Sequence, residues 1–92
     1  MIILLDDVAA VTTDQIVSVS DQMGASMERV LQVEIEGTAQ VDVYGRMSSS
    51  FTWQLIKSYT ASDADIVGAF PQMKADISSW TSGNVSAAIT GI

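Results

Sequence analysis

Apolar and polar residues alternate with a period of two through Val33–Ile56. Val33 and Ile35 alternate with Glu34 and Glu36, and Gly37-Thr38 turns the chain. Ala39, Val41, Val43, Gly45 and Met47 then alternate with Gln40, Asp42, Tyr44 and Arg46. Successive side chains of a strand point to opposite faces, so this pattern predicts half-buried antiparallel strands, here read as two hairpins. The rhythm returns from Met73 to Ile92: Met73, Ala75 and Ile77 face one way, and Lys74, Asp76 and Ser78 the other. Thr81-Ser82-Gly83-Asn84 reads as a hairpin turn, because Gly and Asn tolerate positive φ, and Val85, Ala87 and Ile89 supply a last inward face.

The remaining segments are shorter. Ile2–Leu5 is a short strand or an arm, and Val8–Val11 and Ile16–Val19 are β-branched strand candidates around Thr12-Thr13-Asp14. Asp21-Gln22-Met23-Gly24 is a turn, and Ala25–Val33 mixes helix formers with the start of the alternating run. Ser48-Ser49-Ser50 is a loop, after which Phe51, Trp53 and Leu55 share one strand face, with core packing the expected role of Trp53. Tyr59–Asp65 reads as loop, Ile66-Val67 as a short strand, and Pro71 as a strand start or edge position. These segments predict an all-β protein: a small antiparallel β-sandwich or jelly roll of about seven or eight strands. Residues 1–92 form a single domain, with residues 1–6 either its first strand or an interacting N-terminal arm.

Composition narrows the function. Charged residues are only 16% of the chain, below the roughly 25% of a typical soluble domain. Ser and Thr occupy many outward strand positions, which points either to simple tolerance of a Ser/Thr-rich β surface or to a surface covered by a neighbour. Eleven acids against Arg29, Arg46, Lys57 and Lys74 give a net charge of −7. That balance excludes a phosphate-binding stripe for nucleic acid and disfavours anionic membrane surfaces. The apolar run Met1–Leu5 is too short for a signal segment or a span, so the chain is expected to be soluble and not exported. Asn84-Val85-Ser86 matches a glycosylation acceptor by chance in that setting.

Few atoms are suited to catalysis. There is no His and no Cys, so neither a nucleophile–base pair of the usual kind nor a zinc site can be built. Asp63-Ala64-Asp65 lacks a calcium-loop spacing and reads as a solvated acidic loop. Glu34 and Glu36 share a strand face about 7 Å apart, the separation of a glycosidase pair, but an open strand face excludes no water. The expectation is a non-enzyme without cofactor or metal. Strand parity places Tyr44, Arg46 and Trp80 on outer faces, where Trp and Tyr stack on sugars or anchor a protein interface and Arg46 pairs with a neighbour's acid. The candidate interface residues are therefore Ile2, Ile3, Leu4 and Leu5 of the arm together with Tyr44, Arg46 and Trp80.

The succession Gly37-Thr-Ala-Gln-Val-Asp-Val-Tyr-Gly45-Arg46, Trp53, Phe70-Pro71, Ile77-Ser-Ser-Trp80-Thr-Ser-Gly83-Asn-Val85 and Ile89-Thr-Gly91 resembles small β-sandwich virion proteins of tailed bacteriophages. In those proteins a strand ending in Gly-Arg or Gly-Ser precedes a loop and a Trp, and a Thr-Ser-Gly turn leads into the final strand. The resemblance covers residues 37–91 and implies a structural component of the particle. The commonest such role is a capsid decoration or cement protein, made in the bacterial host cytoplasm and held on the capsid surface. There it binds copies of itself, a trimer being favoured, and the major capsid protein or another virion protein. A tail or neck accessory protein, or a carbohydrate- or receptor-binding module using Trp80 and Tyr44, are the alternatives.

Overall fold

A computed structural model of the chain describes residues 1–18, 28–68 and 70–91. Among these residues the chain forms eight strands and no helix: β1 (Ile2–Val8), β2 (Val17–Ser18), β3 (Glu28–Ile35), β4 (Thr38–Arg46), β5 (Gln54–Tyr59), β6 (Asp63–Gly68), β7 (Gln72–Ser82) and β8 (Val85–Gly91). The alternating run Thr38–Arg46 is realised as read. Ala39, Val41, Val43 and Gly45 are buried while Gln40, Asp42, Tyr44 and Arg46 are only half-covered.

Two four-stranded sheets face each other, a front sheet ordered β1-β8-β3-β6 and a back sheet ordered β2-β7-β4-β5. Every described pairing is antiparallel. The order is that of one long hairpin rolled up on itself. Strands β1/β8, β2/β7, β3/β6 and β4/β5 are partners across the hairpin, and rolling adds the contacts β3/β8 and β4/β7. This is the jelly roll, which divides one core between two sheets. Leu31, Val33, Val85, Ala87 and Ile89 from the front sheet meet Val41, Val43, Met73, Ala75 and Ile77 from the back sheet, all almost fully buried.

The two turns expected to close hairpins instead carry the chain from one sheet to the other. Strands β3 and β4 lie in different sheets, as do β7 and β8, so Gly37 and Gly83 sit at corners. Both have positive φ, 95° and 82°. A side chain on Gly83 would collide with the Glu36 carbonyl, and one on Gly37 with the Ser82 carbonyl. The corners are clasped by Glu36 N–H donating to the Asn84 carbonyl at 2.9 Å. Alternation in sequence marks strands but not which sheet each joins, so a corner and a hairpin turn read alike.

The arm expected at residues 1–6 is strand β1, paired with β8 from Ile2 opposite Ile89 to Val8 opposite Val85. Ile2, Leu4 and Leu5 are corrected from candidate interface to core, each at most 5% exposed, and only Ile3 faces outward. Register shifts on either side of Leu5 form bulges, so Leu4 and Leu5 both turn inward and the following Asp7 adopts φ of 55°. That break also ends the strand at Val8, where a separate strand over Val8–Val11 was expected. The Ile16–Val19 strand is present as Val17–Ser18 in its described part; Asp21–Gly24 and the first residues of Ala25–Val33 lie outside the described residues.

Candidate functional site

The outer face of the back sheet gathers two aromatic and two cationic side chains near the end of β4. Tyr44 lies opposite Lys74 and Arg46 opposite Gln72 in the β4/β7 ladder. Trp53 joins them from the loop after β4, with the Arg46 guanidinium 4.0 Å from its ring centroid and the Lys74 ammonium at 5.1 Å. Lys74 is also 5.0 Å from the Tyr44 ring. Cations over aromatic faces are attracted by the ring quadrupole, more so when partly desolvated. Arg46 is further fixed by its Nε–H, which donates to Gln72 Oε1 at 2.8 Å.

Trp53, expected in the core with Phe51 and Leu55, is thereby corrected to the outer face. Between β4 and β5 the register slips: Val43 opposes Lys57 but Tyr44 opposes Leu55, so Ile56 is an extra residue and the parity of β5 reverses. Ile56 packs against the core instead, while Phe51 and Leu55 are 58% and 56% exposed.

Lys74 and Asp76 point away from the sandwich interior, as alternation predicts, yet both are buried. The aromatic rings and the segment before β2 cover them. Lys74 Nζ reaches Asp14 Oδ1 at 2.7 Å and Asp76 Oδ2 at 3.0 Å, and Asp14 N–H donates to Asp76 Oδ1 at 3.0 Å. Burial alone would lower the Lys74 pKa, but the bonds to both carboxylates outweigh it and hold the ammonium above the ordinary lysine value. Nearby, burial would raise the Asp42 carboxyl, but hydrogen bonds from Gln40, Ser58 and Ser78 hold it below the usual range.

Trp80 does not join this group. It lies near the opposite end of β7, where its indole N–H donates to the Gly83 carbonyl at 2.8 Å across its own corner. Its ladder partner Ala39 is five residues along β4 from Tyr44, about 16 Å at strand rise. Tyr44 and Trp80 therefore offer no single aromatic platform.

A second cluster ties the edges of the two sheets. Tyr59 is inward-facing at the end of β5, and its hydroxyl donates to Asp65 Oδ2 at 2.9 Å. Lys57 Nζ lies 2.9 Å from the same oxygen and 3.6 Å from Asp63. Asp63 and Asp65 belong to strand β6, not to the loop expected over Tyr59–Asp65. Hydrogen bonds from Lys57 and then Tyr59 hold the Asp65 carboxyl below its ordinary value, while burial and the Asp65 bond push the Tyr59 phenol up.

The front sheet's outer face differs in kind. Ile3, Ala88, Gln32 and Ala64 form one row across all four strands, and Thr90, Val30 and Ile66 a parallel one. None of these seven side chains is charged, and Ile66 is 66% exposed. A shallow depression of about 250 Å³ overlaps the first row, lined by its Ile3, Gln32 and Ala88 together with Asp6, Glu34 and Ser86. Glu34 Oε1 accepts a bond from Gln32 Nε2 at 3.3 Å.

Among the described residues no three potential metal-ligating side chains converge. The two outer faces differ: cations lie over aromatic rings on one, and uncharged rows run beside carboxylates on the other. The fold and these surfaces define a small jelly-roll protein with unlike outer faces. The chain matches no protein-family model, no curated protein and no solved structure.

Proposed function

We propose that the chain is a non-enzymatic structural protein of a tailed-phage particle, a decoration or cement protein that associates with copies of itself, in trimers, on the head shell. The observation that carries this reading is the uncharged pair of rows across the front sheet, running from Ile3 to Ala64 and from Thr90 to Ile66. Sheet faces of free proteins usually carry charges that keep them apart, and rows without them running across a sheet suit contact with protein.

The edges support contact through faces over contact by strand addition. Strand β1 is bulged, β5 carries Lys57 and β6 carries Asp63 and Asp65. Bulges and charge are devices by which edges resist pairing with another chain. A jelly roll alone assigns no role, since the fold serves shells, lectins and enzymes alike.

Sedimentation analysis of the pure chain, followed by cosedimentation with assembled phage heads and with isolated tails, tests the proposal. Oligomers that bind heads support it. A monomer at every concentration that binds neither particle overturns it, and binding to tails alone moves the role to the tail or neck.

A further inference from the structure

We infer that the two outer faces recognise each other in successive copies: the Arg46–Trp53 end of one back face docks in the Asp6/Glu34 depression of the next front face. The inference rests on the self-association proposed above and adds to it a contact by which copies stack. Arg46 is held over the Trp53 ring and bonded to Gln72, so little side-chain freedom is left to lose on docking. Among the described residues no carboxylate lies within ion-pair distance of it; the ion pairs present use Lys57 and Lys74.

The front depression is the complement. Asp6 and Glu34 line it, with no cation of the described residues in ion-pair distance, and Ser86 and Ala88 leave space between strands. A guanidinium can meet a carboxylate there with two parallel hydrogen bonds. Exposed Phe51 and Leu55 on the docking end would cover the uncharged row that starts at Ile3 and Ala88. Charge and apolar surface therefore match between the faces in the same contact.

The two surfaces belong to opposite sheets, so one neighbour cannot engage both symmetrically. The contact is head-to-tail and joins faces that point in opposite directions, so its repetition stacks copies along one axis and the proposed trimer must close through another contact.

Charge exchange in the full chain tests the contact. Glu34→Arg and Arg46→Glu should each raise the concentration needed for assembly by about tenfold or more, read by sedimentation velocity over a concentration series. The double variant E34R/R46E should return to within about threefold of the parent, because the pair is restored with its sign reversed. Asp6→Arg, on the same wall, should act like Glu34→Arg. Assembly unchanged in the single variants, or a double variant no better than either, overturns the inference while leaving the oligomer and its shell role standing. A parent chain that binds heads as a monomer also overturns it, whereas a monomer that binds nothing removes the proposed function itself.

Discussion

Replacing Lys74 by Met tests whether the covered ion network on the back face is structural. The Lys74 side chain is 9% exposed and Asp76 12%, while Asp14 is 67% exposed. Removing one member of a buried pair typically costs about 3–5 kcal/mol, because the other charge is left without compensation. Two features reduce that here. The Asp14 arm is solvated and contributes under about 1 kcal/mol, and Asp76 keeps the hydrogen bond from Asp14 N–H. An expected loss of about 2–4 kcal/mol follows for K74M. A chain of 92 residues has a stability of about 5–14 kcal/mol, so the loss is a large fraction. Urea unfolding followed by Trp fluorescence should show a midpoint lower by about 1–2 M. The double variant K74M/D76L should recover most of the loss, since both charges then leave together. A K74M midpoint within experimental error of the parent, or a double variant worse than the sum of the singles, would refute this account of the network.

The other predictions concern the core, the first strand and pH. Gly45→Ala should destabilise by about 1–3 kcal/mol, because a Cβ there would sit 2.5 Å from Phe70 Cδ2 and 2.9 Å from its Cβ. Pairing it with Phe70→Ala should give less than additive loss in thermal unfolding. Leu4→Ala should cost about 2–5 kcal/mol, and deletion of residues 2–5 should abolish the fold by circular dichroism, not merely weaken association, because Ile2, Leu4 and Leu5 are core. With folded carboxyl values depressed for Asp65 and Asp42, their stabilisation is present above about pH 3.9 and is lost as pH falls through the lower folded values. With Lys74 raised, its contribution is present below about pH 10.4 and is lost as pH rises through the higher folded value. Urea midpoints measured from pH 2 to 12 should fall at both ends, and K74M should flatten the alkaline limb; an unaltered limb would refute the assignment.

Strand alternation carried much of the fold. Parity along Thr38–Arg46 and Met73–Ile77 placed inward and outward residues correctly, and the class and strand number followed. It failed where the backbone inserts a residue. Ile56 reverses the parity of β5 and brings Trp53, Phe51 and Leu55 outward, and bulges around Leu5 turn Leu4 and Leu5 inward together. Such bulges depend on the partner strand, which sequence spacing does not reveal. Strand β6 was hidden because its acids are paired by Lys57 and Tyr59 from another sheet. Of the outer-face residues, Tyr44 and Arg46 were legible by parity. Lys74 was legible as outward, but its burial under Trp53 and beside Asp14 depends on a contact 60 residues apart in sequence.

The rolled topology also dictates an order of folding. Strand β8 lies between β1 and β3, and β7 between β2 and β4, so each sheet is centred on a strand from residues 72–91. Before those residues leave the ribosome only the β3/β6 and β4/β5 ladders can form, and β1 and β2 have no strand to join. Ile2 must find Ile89 across nearly the whole chain, a search of the kind that slows β-sandwich folding to milliseconds or seconds. A nascent chain stopped before Gln72 would hold its apolar inner faces open to other chains. It would depend on chaperones until the final two strands arrived and closed both sheets together.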